Sequence, residues 1–236
     1  MYFMKKILKK INLINIIYKF YKINFSKYSR VNYLKYPVIN NLAYPWFSKP
    51  CIDYLENIDF NKKKILEFGS GFSTIYFDRK KANVISFERN NEWIKRLKNQ
   101  ISEQCDLRVF EDLSKEGDLT YFKSIVNQFK SQNLKFDILV IDVFPRPLTY
   151  ELFAEFINDD GFIIFDNSDW YPLFFKSLKE RNDLLILDFY GEPIGEPSQT
   201  CTSIIFKRPN INFNQKAKKS MYSDNLISNE DRILKF

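Results

Sequence analysis

The chain has 236 residues, 45% of them hydrophobic and 28% charged, with a net charge of +7, three cysteines and no histidine. That length is enough for one sizeable core, and the hydrophobic share excludes a disordered chain. The missing histidine excludes a Ser-His-Asp triad, a Cys-His pair, a histidine base and His-ligated zinc, so acid–base work falls to carboxylates, Lys, Tyr or a metal.

The charge is lopsided. Residues 1–50 hold ten Lys and Arg and no acid, so the rest of the chain is net −3 (+7 less +10). The basicity therefore belongs to an N-terminal arm. Cys51, Cys105 and Cys201 are an odd set without metal-ligand spacing, which predicts reduced thiols and a cytoplasmic setting. The arm begins with a helix expected over 4–23, where Ile7, Ile11, Ile14, Tyr18 and Tyr21 recur at three- and four-residue steps. Its uncharged stretch over 11–18 is far shorter than the roughly 20 residues a membrane span needs, and no small-residue cleavage site follows it. Two roles fit residues 1–30: packing on the domain or another subunit, or lying on an anionic membrane surface. Nucleic acid is not expected, because no binding motif accompanies the charge. The aromatic and proline-rich segment over 24–50 reads as neither flexible linker nor strand, and either covers a pocket mouth or fills a groove.

A short helix over 51–58 leads into the segment that organises the rest, ILEFGSGFSTIYF over 65–77. It reads as a buried strand, a glycine turn and the start of a helix. Gly69 and Gly71 allow a tight turn and close approach to a ligand, while Ser73 and Thr74 can cap the helix behind them. A second strand over 84–87 ends in Glu88, which stands 19 positions after Gly69 (88 less 69) and is placed to grip a ribose diol. Glu67 in the first strand and the absent third glycine, expected over 72–74, depart from the dinucleotide fingerprint.

Helix and strand patterns then alternate, which predicts a parallel α/β sheet. A helix is expected over 91–104, a strand over 107–110, a helix over 119–132 and a buried strand over 136–141 closed by Asp142. Glu111 and Asp112 follow the third strand, where they either meet an adenine or form a solvated turn. Next come a helix over 148–157 ended by Asn158-Asp159-Asp160-Gly161, a strand over 162–165 closed by Asp166 and Asn167, and a helix over 171–182. Strands over 184–190 and 200–206 have no helix between them and should pair antiparallel. Residues 209–236 read as a loosely held polar tail.

LEFGSGFST followed by VISFER resembles motifs I and II of the class I S-adenosylmethionine-dependent methyltransferases. FDILVID and GFIIFDNSDW resemble the fourth and fifth strands of that fold, and the resemblance covers residues 50–208. It implies a Rossmann-like doubly wound sheet, mostly parallel with a C-terminal antiparallel hairpin, preceded by the helical arm. The expected division is an arm over 1–50, a cofactor-binding domain over 51–208 and a tail over 209–236. The resemblance also implies S-adenosylmethionine held by Glu67, Gly69, Ser70, Gly71, Ser73, Glu88, Asp112 and Asp142.

For the chemistry it implies Asp142, Asp166 and Asn167, a trio similar to the metal site of catechol-type O-methyltransferases, with Mg²⁺ as the cation. Two features depart from that pattern. Val143-Phe144-Pro145-Arg146 follows Asp142 with no lysine base, and Ser168-Asp169-Trp170 follows Asn167. The rival arrangement has Asp142 on the methionine amino group and Asp166 or Asp169 as base. Arg146 is expected either to orient an acidic substrate or to form a surface pair with Glu151 or Glu155, the pair being the commoner case. The expected activity is O-methylation of a small molecule or a sugar. The alternatives are a nicotinamide-dependent oxidoreductase on a similar sheet, or a non-catalytic binding protein that keeps the fold.

Overall fold

The computed structural model of the chain describes residues 37–39, 41–110, 115–143, 145–196 and 198–207. The helix expected over 4–23, the rest of the arm before residue 37, Asp112 and the tail over 209–236 lie outside the described residues.

The described part of the aromatic segment makes a two-residue hairpin, β1 (Val38–Ile39) and β2 (Leu42–Ala43), where no strand was expected. Asn41 takes the positive φ of 63° that the reversal needs. Helix α1 (Lys49–Leu55) follows, with Pro50 in its first turn where a missing N–H costs nothing.

The α/β body then runs β3 (Lys64–Phe68), α2 (Phe72–Arg79), β4 (Asn83–Glu88), α3 (Asn91–Lys98), β5 (Cys105–Val109), α4 (Lys115–Ser131), β6 (Phe136–Ile141), α5 (Arg146–Phe153) and β7 (Ile157–Phe165). It closes with α6 (Pro172–Lys179), β8 (Leu184–Gly191) and β9 (Thr200–Lys207). The main sheet has the order β5-β4-β3-β6-β7-β9-β8. Five strands pair in parallel, and β9 is antiparallel to both β7 and β8, so the last strand of the hairpin inserts inside the edge. The strand order reverses at β3, between β4 and β6, which opens a crevice beyond the carboxyl ends of these strands.

Two apolar layers cover the sheet. Leu66, Phe68, Leu139, Ile141, Ile163 and Phe165 face α4, α5 and α6, where Phe122, Phe129 and Phe153 complete one core. Ile65, Ile138, Val140, Phe162 and Ile164 face α1 and α2, where Phe47, Ile52, Leu55, Tyr76 and Phe77 complete the other. The alternation is that of strands buried on both sides. Phe47 is fully buried, and Arg79 Nη1 donates to the Ala43 carbonyl at 2.7 Å, so residues 43–47 pack into the body.

Two helices end earlier than the sequence pattern suggests. Helix α3, capped by Asn90 Oδ1 accepting from Glu92 and Trp93 N–H, stops at Lys98. The Asp78 carboxylate draws the chain away there, accepting the Ser102 N–H at 3.0 Å. The helix expected over 148–157 is α5 followed by a 3₁₀ turn over Ala154–Phe156, and Asn158-Asp159-Asp160-Gly161 is not its end but part of β7. The extra residues are absorbed by a register shift opposite Phe136 and Ile138. Asp137 holds the shift by accepting from Lys64 N–H at 2.8 Å and from Asn158 Nδ2 at 3.2 Å. Gly161 lies so close to that strand that a Cβ would come within 2.4 Å of the Asp137 carbonyl oxygen.

Candidate active site

The glycine turn sits at the switch point. Gly69 donates its N–H to the Phe87 carbonyl at 2.9 Å and Asp142 donates its N–H to the Phe68 carbonyl at 2.8 Å, so the turn is stitched to both neighbouring strands. Beneath it lies Glu67, completely buried. Its carboxylate accepts hydrogen bonds from Ser73 Oγ and Thr74 Oγ1, each at 2.5 Å, and from Ser86 Oγ at 2.6 Å. Thr74 Oγ1 in turn accepts the Gly71 N–H at 2.9 Å, and Ser70 Oγ meets Ser86 Oγ at 2.6 Å. One carboxylate thus ties β3, β4, the turn and the first turn of α2 together. Burial pushes the Glu67 carboxyl up to about 7, while the three hydroxyls oppose the shift.

Aromatic rings wall the turn. Trp93 Nε1 donates to the Ser70 carbonyl at 2.7 Å. The Phe72 ring lies edge-on to Trp93 at 5.7 Å and to the half-exposed Trp46 at 5.9 Å. The proline-rich segment therefore reaches the mouth of the turn through Trp46.

Glu88 ends β4, as its position in the sequence predicts. Its Oε1 accepts the N–H groups of Arg89 and Asn90, both at 2.9 Å, which fixes the side chain at the crevice. Burial raises its carboxyl above the usual range. Asp112, the residue expected against the adenine, is outside the described residues; Phe110, two before it, is anchored by its N–H to the Glu88 carbonyl at 3.0 Å.

At the ends of β6 and β7 the arrangement differs from the expected one. Arg146 Nη2 donates to Asp142 Oδ1 at 2.5 Å and to Asn167 Oδ1 at 2.7 Å. Arg146 is only 7% exposed, and the Trp170 ring lies 5.5 Å from its guanidinium. The surface pair with Glu151 or Glu155 does not form; Glu155 pairs instead with Lys130 at 3.0 Å. Asn167 adopts a left-handed conformation (φ 49°, ψ 44°), one that asparagine tolerates, and its Nδ2 donates to Thr200 Oγ1 at 2.9 Å. Asp169 accepts from Thr200 Oγ1 at 3.2 Å and from Cys201 N–H at 3.0 Å.

Asp166 is turned toward α1. Its Oδ1 accepts from Thr202 Oγ1 at 2.7 Å, and the same Thr202 oxygen accepts the Ser48 N–H at 3.0 Å. Burial first, then the charge of Asp142, push its carboxyl up to about 8.

The three oxygen ligands expected for Mg²⁺ therefore do not form a metal centre. Mg²⁺ needs near-octahedral oxygen ligands at about 2.0–2.1 Å. Instead Asp142 Oδ1 and Asn167 Oδ1 both accept from the Arg146 guanidinium, and Asp166 Oδ1 is turned away from them to Thr202. Among the described residues no group of three or more acidic, Cys or His side chains is placed to hold a metal ion.

Sequence reasoning singled out Arg146 but missed its bridge to Asp142 and Asn167, and it missed Thr200 and Thr202 altogether. The four-residue step from Asp142 to Arg146 was a signal for the first. The two-residue alternation Phe162, Ile164, Asp166 was a signal that Asp166 faces α1. A cavity of about 480 Å³ is lined by Ser168, Asp169, Lys176, Lys179, Asp188 and Tyr190.

Solved structures share this architecture. A candidate caffeoyl-CoA O-methyltransferase from Staphylococcus aureus superposes with a TM-score of 0.55 at 16% identity, over 81% of this chain and 100% of that one. The O-methyltransferase TomG from Streptomyces achromogenes, solved with S-adenosylmethionine, gives 0.50 at 14% identity over 62% and 74% of the two chains. A candidate O-methyltransferase from Klebsiella pneumoniae gives 0.50 at 16% identity over the same shares. The chain has the class I methyltransferase fold. No protein-family model matches the sequence, and no curated protein matches it. Within the methyltransferase fold the inserted antiparallel β9 is the departure from an all-parallel dinucleotide-binding sheet. No helix among the described residues is long and apolar enough to cross a membrane.

Proposed function

We propose that the protein is an S-adenosylmethionine-dependent methyltransferase that methylates an oxygen of a small molecule or a sugar. The observation that carries this reading is the Glu67-braced glycine turn facing Glu88 across the switch point of this sheet.

Each residue has a part in it. Gly69, Ser70 and Gly71 let the methionine end of the donor approach the backbone, with its carboxylate toward the N-terminus of α2. Ser73 acts through Glu67, which it holds. Glu88 accepts the ribose hydroxyls, and Asp112 is assigned to the adenine. Asp142 faces the methionine amino group and, with Asn167, borders the acceptor. Transfer is an in-line displacement: the acceptor oxygen bonds to the methyl carbon as the C–S bond breaks with its electron pair to sulfur. The protein's work is alignment and removal of the acceptor proton by a carboxylate. Asp169, two residues after Asn167 and lining the 480 Å³ cavity, suits that role better than the Thr202-bound Asp166.

Calorimetric titration of the purified protein with S-adenosylmethionine and, separately, with NAD(H) tests the reading. Binding of the first and not the second is the expected result; the reverse would sink it.

A further inference from the structure

We infer that Arg146 is the resident cation of the acceptor end: its guanidinium holds the place between Asp142 and Asn167 that a divalent ion takes in a metal-dependent site. The inference rests on the methyl-transfer reading only in naming this the acceptor end.

Four observations converge on it. The same nitrogen, Nη2, bridges Asp142 Oδ1 and Asn167 Oδ1, at 2.5 and 2.7 Å. Those are oxygens a metal would bind, and the guanidinium already stands between them, in the place the ion would have to take. The bridge joins the ends of two adjacent strands, β6 and β7, and so does the job of a shared ion. Arg146 opens α5, where Pro147 follows in the first helical turn and the Asp142 step is one turn back.

Arg146 is also held at a cost. Its Nε is buried without a hydrogen-bond partner. A buried unsatisfied donor opposes folding and calls for an explanation other than stability. The Trp170 ring over the guanidinium leaves the charge fixed in place. A second cation brought to the same carboxylate would be repelled by this one. The site is thereby built to work without a metal, and its positive charge is permanent, since arginine does not deprotonate.

The test is Mn²⁺ binding, read by electron paramagnetic resonance on the full chain. Wild type, Arg146→Met, Asp142→Asn and the double variant Arg146→Met/Asp142→Asn are compared, methionine being chosen to keep the apolar stem beneath Trp170. Calorimetry with S-adenosylmethionine on the same preparations reports separately on the donor site, so a failure of the methyl-transfer reading is not confused with a failure here. Wild type is expected to leave Mn²⁺ free. Arg146→Met is expected to gain Mn²⁺ affinity by roughly tenfold or more, the scale of one hydrogen-bonded charge, and the double variant to lose it. Wild-type binding that Asp142→Asn removes would overturn the inference, as would a folded Arg146→Met that gains no Mn²⁺. Should Arg146→Met not fold, the wild-type titration decides alone.

Discussion

Gly69 and Asp142 touch across the switch point. The Gly69 φ is +99°, and a Cβ there would lie 2.5 Å from the Asp142 carbonyl oxygen. Gly71, two residues on, is different: a Cβ would meet only Trp93 Nε1 at 3.9 Å and Ser73 Oγ at 4.0 Å. The fold requires the first glycine, whereas a side chain at the second would meet only ordinary contacts. Gly69→Ala should therefore destabilise by roughly 2–4 kcal/mol through strain and overlap. Gly71→Ala should change stability by no more than about 1 kcal/mol while weakening S-adenosylmethionine binding. Urea unfolding and calorimetry together check the contrast; equal losses of stability would refute it.

Glu88→Ala should weaken S-adenosylmethionine about tenfold or more, because hydrogen bonds to a charged group are worth roughly 1.5–3 kcal/mol. Glu88→Gln keeps an acceptor for the Arg89 and Asn90 N–H groups and should preserve the loop. Unchanged affinity in the alanine variant would place the ribose elsewhere.

Glu67 makes stability depend on pH. Its folded value, about 7, lies above the ordinary 4.5, so the folded state holds the proton more tightly than the unfolded chain. Its contribution is fully present below pH 4.5 and is lost as pH rises to about 7. Over that window the loss is on the order of 3 kcal/mol. Glu67→Gln should flatten this part of the stability curve, read from denaturation midpoints between pH 4 and 8; an unchanged slope would contradict the assignment.

Thr202 joins Asp166 to the N-terminus of α1. Thr202→Val leaves the Ser48 N–H and the Asp166 carboxyl unsatisfied and should cost roughly 2–4 kcal/mol. Thr202→Ser, which keeps the hydroxyl, should recover most of it. Loss of S-adenosylmethionine affinity without loss of stability would argue instead for a direct role of Asp166 at the ligand.

We propose that the basic arm serves location or substrate capture and not cofactor binding. Deleting residues 1–30 should leave S-adenosylmethionine affinity unchanged. If the arm meets an anionic membrane surface, full-length protein should bind anionic vesicles at low salt and release as salt rises, each surface Lys contributing about 1 kcal/mol. Salt-insensitive binding, or none, would return the arm to a packing role.

Much of the parallel sheet was legible because each strand carries a short apolar run ended by a polar residue. The runs at 65–68, 84–87 and 136–141 lie within β3, β4 and β6 to within a residue. Boundaries failed where a distant group competes with the local pattern. Asn158-Asp159-Asp160-Gly161 has the composition of a turn, yet Asp137 across the sheet pairs with Asn158 and makes a register shift of it. The helix over 91–104 has its periodicity broken by Asp78, more than twenty residues earlier.

The sequence by itself determined the glycine turn, the acid at the tip of the second strand and the absence of any histidine, since these depend on residue type and spacing along one element. Only the tertiary structure decided the partners of the strand-end carboxylates. Asp142, Asp166 and Asn167 share a composition that suits a metal, but a side chain's partner is set by which face of the strand it leaves and what stands opposite. Alternation sends Asp166 down to Thr202 on β9, a strand 36 positions later. One helical turn brings Arg146 back over Asp142, and the left-handed bend at Asn167 brings the amide to the same guanidinium. The charges were countable in the sequence; their pairing required the fold.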